Sequence, residues 1–222
     1  MTHFLQPTYI ISILIAIAVH EWAHAITAHR LGDRTAEQQG RLTLNPLSHI
    51  DPLGALMFVT VGFGWAKPVP VNPAYFRHPK RDMAITALAG PLSNLLLSIV
   101  AYAGLLLLLH AGNFSAGDLL EGPVTSLPVQ TIVAQILSHS LYINLALMAF
   151  NLFPVAPLDG SNIVRLFIPF SLEESYESFV RIGPFVLLFL LLFESFLPFP
   201  LLSGWVHGIM NAVLSVFAVV AG

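Results

Sequence analysis

The sequence predicts an all-α polytopic membrane protein. It should have about five to six transmembrane helices, with a small re-entrant or interfacial β-hairpin/loop region between the first two long spans. Three observations predict this. Of the 222 residues, 56% are hydrophobic and 9% charged, against about 25% charged in an average soluble domain. Five apolar stretches each approach the ~20 residues needed to cross a ~30 Å hydrocarbon core. All nine Lys and Arg residues lie outside those stretches. The same composition excludes a disordered chain, a basic nucleic-acid-binding module and an ordinary soluble enzyme. A net charge of -3 points to no acidic or basic partner, and zero cysteines exclude disulfides, haem attachment and thiolate metal ligands.

Tyr9 to Ala28 is the first span, read as uncleaved because neither a basic leader nor a small-residue cleavage site flanks it. Gly32 closes it. Leu53 to Phe63 is apolar but too short to cross, so it reads as re-entrant or packed inside the protein. Met83 to Leu109 is a second long span and Thr131 to Phe153 a third, ended by Pro154 and Pro157. Ile182 to Phe199 and Leu201 to Val220 complete the set, joined by a turn carrying Pro198, Pro200 and Gly204. Between the first two long spans, Arg41-Leu42-Thr43-Leu44 alternates polar and apolar, and Asn45-Pro46 and Asp51-Pro52 signal turns. Trp65 to Pro73 must be extended, since its prolines exclude regular helix. These segments predict the hairpin or a pair of edge strands.

Positive charge orients the chain. Arg30, Arg34, Arg41, Lys67, Arg77, Lys80 and Arg81 form one basic stretch, with Arg165 and Arg181 in another, whereas the loop from His110 to Gln130 carries only Asp118 and Glu121. The positive-inside rule then places both basic stretches in the cytoplasm and the N-terminus outside.

His20-Glu21-Trp22-Ala23-His24 lies inside the first span. Residues i and i+4 share one helix face, so both imidazoles can reach one metal ion with Glu21 beside it. His24 and His20 lie six and ten residues before Arg30, about 9 and 15 Å below the helix end. Ionisable groups at that depth cost on the order of 2–3 kcal/mol each and mark function by default. The plain alternative is a helix end with polar residues near the headgroups. Two histidines plus a carboxylate with one open position is the catalytic zinc arrangement. Asn151 to Gly160 ends the third span on the same side and offers Asp159 as the missing ligand. Asp159 could instead cap a following helix, and Asn151 could hydrogen-bond between helices.

Four stretches together resemble the site-2 protease family of intramembrane zinc metalloproteases, in its short form without a PDZ or CBS domain. They are His20 to His24, Gly40 to Pro46 with His49 to Gly54, Gly64 to Pro73 with Ala89 to Asn94, and Asn151 to Gly160. Ser161 departs from the family, which often carries a second glycine after Asp-Gly. The last 55 or so residues match no motif. The resemblance implies His20, His24 and Asp159 as Zn2+ ligands. It implies Glu21 as the base that activates a zinc-bound water, with Asn151 close enough to orient substrate or polarise its carbonyl. The implied reaction is peptide-bond hydrolysis within or next to transmembrane segments of membrane-protein substrates, in a lipid bilayer of the bacterial cell-membrane type.

An exposed strand edge would hold such a substrate extended. Arg41, Leu42, Thr43 and Leu44, with Lys67, Val69, Val71 and Asn72, are the candidate substrate-binding residues; a hairpin that merely plugs the cytoplasmic mouth is the competing reading. Residues 1–222 read as one integral membrane protease domain, with a catalytic core at about 9–165 and a C-terminal helical pair at about 182–220. A homodimer is compatible with this plan. An inactive scaffold or a metal-binding transporter using the same ligands are the alternatives; transporters usually show internal repeats, and none is visible here. Asn94 reads as structural support, and His3, His29, His49, His78 and His110 as solvated imidazoles. His139, His207 and Glu194 read as interhelical hydrogen-bonding groups or groups near the interface.

Overall fold

The computed structural model describes residues 5–62, 64–111 and 129–221, and those residues are helical or irregular. Asp118 and Glu121, on which the outward placement of the acidic loop rests, lie outside the described residues. Among the described residues, five helices are long and apolar enough to cross a membrane. α1 (Pro7–Arg30) begins at a proline, tolerated in a first turn because its missing N–H has no helical partner. It stops at Leu31, beyond which Gly32 adopts a left-handed φ of 112°. The other spans are α4 (Pro79–His110), α5 (Val129–Asn151), α7 (Glu173–Phe193) and α8 (Leu202–Ala221). Short helices α2 (Thr35–Gln38), α3 (Pro52–Val61) and α6 (Asp159–Arg165) punctuate the connections.

Small residues let α1 approach its neighbours closely: Ala16, Ala18, Ala23, Ala25 and Ala28 are all buried. α4 packs on α1 and α5, and also meets α6. Ala101, Leu141, Leu145 and Met148 make one apolar core, flanked by Ile209, Met210 and Val213 of α8. A second core joins Val155 and Leu158 to Leu187, Leu190 and Leu202. Large apolar side chains elsewhere face outward, among them Leu96, Val100, Leu107 and Phe185. That is the surface a lipid-facing bundle presents.

The short apolar segment is helix α3. Asp51 accepts the Gly54 N–H at 2.8 Å to cap it, and Gly62 ends it at φ 81°. Its ten residues are half a membrane crossing. α7 starts nine residues ahead of the predicted Ile182. Glu173 bonds Lys80 at 2.7 Å, and Arg165 pairs with both Glu173 and Glu177. These ion pairs hold the polar first turns of the helix against α4 and α6.

The predicted β-hairpin is absent. No strand forms among the described residues; a single antiparallel bridge joins Ile50 to Ala66, and Lys67 N–H donates to the His49 carbonyl at 2.9 Å. The reason is chemical: Pro68 and Pro70 bring no N–H, so no ladder can propagate along the extended strap from Trp65 to Asn72. Arg41 to Leu44 is a bend rather than a strand. Arg41 is buried, and its guanidinium donates to the Lys67 carbonyl at 2.7 Å. His49, read from sequence as solvated, is fully buried. Its Nε2 donates to the Thr43 carbonyl at 2.8 Å, leaving Nδ1 to accept from Arg41 at 3.4 Å. Side-chain struts replace the ladder.

Glu194 accepts the Leu202 and Ser203 N–H groups and thereby caps α8. His207 Nδ1 donates to the Ser203 carbonyl at 2.7 Å within α8, and the His139 ring packs edge-on to Tyr9.

Candidate metal centre

His20 and His24 project from one face of α1 as the i, i+4 rule requires, and their Nε2 atoms lie 3.0 Å apart. Asp159 is the first residue of α6, and its carboxylate makes no helix cap. Instead Oδ2 lies 3.3 Å from both Nε2 atoms. Pro154 and Pro157 break the chain after α5 and turn α6 back onto α4. Gly160 is required there, because a Cβ would stand 2.3 Å from the Leu152 carbonyl oxygen and 2.4 Å from that of Phe153.

Both rings are oriented from behind. His24 Nδ1 donates to the Thr86 carbonyl at 2.7 Å, and His20 Nδ1 to Asn94 Oδ1 at 2.6 Å. Asn94 in turn donates to Asn144 Oδ1 at 2.8 Å, and Asn144 to the Ser140 carbonyl. Asn94 and Asn144 are fully buried, so α1, α4 and α5 share one polar chain. With each Nδ1 committed as a donor, neutral imidazoles aim their Nε2 lone pairs inward. They meet Asp159 Oδ2, a buried oxygen with no hydrogen-bond donor. Three converging lone pairs repel unless a cation sits between them.

The spacing fits zinc. Ligand atoms 2.0–2.2 Å from a tetrahedral ion stand about 3.3–3.6 Å apart, and the three distances here are 3.0, 3.3 and 3.3 Å. Burial raises the Asp159 carboxyl, but the neighbouring His24 and His20 rings draw it down to about 2. The oxygen is therefore ionised and ready to ligate. Gly90 of α4 faces the rings so closely that a Cβ would lie 2.4 Å from His24 Nε2.

These groups border a cavity of about 610 Å³ together with Glu21, Asn151, Asn162, Val69 and Val71. Glu21 Oε2 accepts the Val69 N–H at 2.8 Å, which docks the strap onto α1. Asn151 donates to the Leu147 carbonyl at 3.0 Å and lines the same cavity. The structure thus brings together His20, Glu21, His24, Asn151, Asp159, Val69 and Val71. Arg41, Leu42, Thr43, Leu44, Lys67 and Asn72 do not line the cavity. Asn72 is held elsewhere, its N–H donating to buried Asp33 at 2.7 Å. Asn144, Thr86, Gly90 and Asn162 escaped the sequence reading as site residues; a lone asparagine deep in an apolar span was the only signal for Asn144.

A multi-pass bundle with a buried His-His-Asp cluster and a glutamate beside it is the architecture of a membrane metalloprotease. The chain belongs to peptidase family M50, the site-2 proteases, whose family model matches residues 8–193. Its relatives agree. One named "Putative zinc metalloprotease YwhC", from Bacillus subtilis (strain 168), is 36% identical over 96% of this chain and 94% of its own length. Rip2 of Mycobacterium tuberculosis (strain ATCC 25618 / H37Rv), which has the same descriptive name, is 28% identical over 89% of this chain and 69% of its own length. No solved structure matches the chain. The protein is a zinc metalloprotease with helices fit to cross a membrane.

Proposed function

We propose that this chain cleaves peptide bonds within or next to transmembrane segments, using His20, His24 and Asp159 as zinc ligands and Glu21 as general base. The observation that carries the reading is the convergence of two Nε2 atoms and an unprotonated carboxylate oxygen at tetrahedral spacing, beside Glu21 in one cavity. When bound, zinc supplies a Lewis acid that acidifies water and polarises the scissile carbonyl.

The chain's own groups do the rest. Glu21 takes the proton of the attacking water and returns it to the leaving amine. The Val69 N–H fixes Oε2 of that carboxylate, leaving its other oxygen to face water. Asn151 orients the substrate carbonyl and supplies a donor to the oxyanion. Val69 and Val71 wall the substrate path, while Arg41 and Lys67 brace the strap from behind. Residues 9–165 carry the catalytic core, with the C-terminal helices packed beside it. The basic ends of α1 and α4 face the cytoplasm and the N-terminus faces out, so the base and ligands are reached from the cytoplasmic side.

Zinc content of the detergent-purified protein, beside Asp159→Ala, tests the reading. About one zinc per chain in the wild type and a clear loss in the variant are expected. Full zinc in Asp159→Ala would place the third ligand elsewhere.

A further inference from the structure

A second cavity, of about 430 Å³, opens at the ends of α1 and α4, away from the metal centre. Arg30, the last residue of α1, Arg77 in the connector and Arg81 in the first turn of α4 line it, with Leu31, Gly32 and Asp82. Asp82 is buried, and one of its oxygens is spent on Arg81 at 2.8 Å while the other accepts the His78 N–H at 3.0 Å. Arg30 and Arg77 are exposed, and among the described residues no hydrogen bond or ion pair engages either guanidinium. Three arginines against one carboxylate leave the cavity about two positive charges in excess.

Its place in the bundle decides what anion meets it. Arg30 ends one membrane-spanning helix and Pro79 begins another, so the cavity lies at headgroup level whichever way the protein is oriented. There the abundant anion is a lipid phosphate, for which planar guanidinium groups are suited as paired donors. Zwitterionic headgroups carry a cation that the excess charge would repel. We propose that Arg30, Arg77 and Arg81 form a binding site for the phosphodiester headgroup of an anionic phospholipid. The site is independent of the zinc chemistry. It adjoins the root of the strap, since Asp33, three residues beyond Arg30, tethers Asn72, five residues before Arg77.

The test uses zinc-loaded protein in neutral detergent. Native mass spectrometry counts retained phosphatidylglycerol against phosphatidylcholine, with inorganic phosphate as a soluble competitor. Wild-type protein should retain phosphatidylglycerol and not phosphatidylcholine. Each arginine at a membrane surface contributes about five-fold in affinity, so Arg30→Gln/Arg77→Gln should lose on the order of 30-fold while keeping its zinc. Arg34→Gln removes the same charge from an exposed residue outside the cavity and should retain the lipid. If the double variant fails to fold, Arg77→Gln alone should still lose about five-fold. Equal retention of both lipids, undiminished retention in Arg77→Gln, or an equal loss in Arg34→Gln would overturn the site. Full displacement by millimolar phosphate would make it a site for soluble anions instead of lipid.

Discussion

Gly90→Ala puts the metal centre under a one-atom perturbation. In an open helix this change stabilises, because glycine costs roughly 0.5–1 kcal/mol relative to alanine. Here the new methyl would stand 2.4 Å from His24 Nε2, 2.5 Å from its Cε1 and 2.6 Å from His20 Cε1. Ordinary contact needs about 3.4 Å or more, so both rings must retreat by about 1 Å. They have little room to do so. His24 is tied to the Thr86 carbonyl and His20 to Asn94, one turn to either side of Gly90 on the same helix. A ring that moves away gives up its orienting bond, and metal–ligand distances tolerate only about 0.2 Å. Zinc affinity should therefore fall on the order of 100-fold or more. Zinc per chain, measured across a chelator-buffered series, should drop from about one to near zero, and cleavage of a model transmembrane substrate should drop with it. Gly104→Ala is the control, because its Cβ meets only the Leu137 side chain, at 3.0 Å. Full zinc and activity in Gly90→Ala would refute the idea that α4 grips the rings from both sides.

Three further outcomes follow from the same geometry. Glu21→Gln should keep zinc and lower turnover by about 10²–10⁴, as loss of a general base does; full activity would sink the base assignment. Asn94→Leu removes the partner of His20 Nδ1 and strands Asn144 Oδ1 in the bundle, so zinc affinity should fall about 10–100-fold, read by competition with a chelating dye. Glu194→Ala uncaps α8 and should cost about 0.5–2 kcal/mol, seen as a lower thermal midpoint with zinc content unchanged; loss of zinc would show that the C-terminal helices reach the metal centre.

Much was legible in the chain because membrane crossing imposes coarse, local rules. The apolar lengths of α1, α4, α5 and α8 follow from hydrocarbon thickness and the need to satisfy backbone groups internally. The start of α7 was missed because Glu173, Glu174, Glu177 and Arg181 interrupt the apolar pattern, and Glu173 is compensated in part by Lys80, which lies 93 residues away in sequence. The hairpin failed on chemistry already printed in the chain: alternating Pro68 and Pro70 silence the donors a ladder needs. The ambiguity over Asp159 was of another kind. Cap and metal ligand ask for the same residue at the same helix start, and only the direction of its carboxylate separates them.

By itself, then, the sequence determined where the apolar stretches of the long helices lie and the pairing of His20 with His24, because helical periodicity places residues four apart on one face without help from other elements. The tertiary structure decided what stands behind and between those histidines. Asn94 and Asn144 are polar residues in separate apolar spans, and no local pattern says that they meet each other and then His20. Gly90 is one small residue among many until a neighbouring helix brings two imidazoles within reach of the atom it lacks. Such relations depend on how helices pack across 50 to 140 residues of chain, where side-chain shape and hydrogen-bond satisfaction act at distances that sequence spacing does not encode.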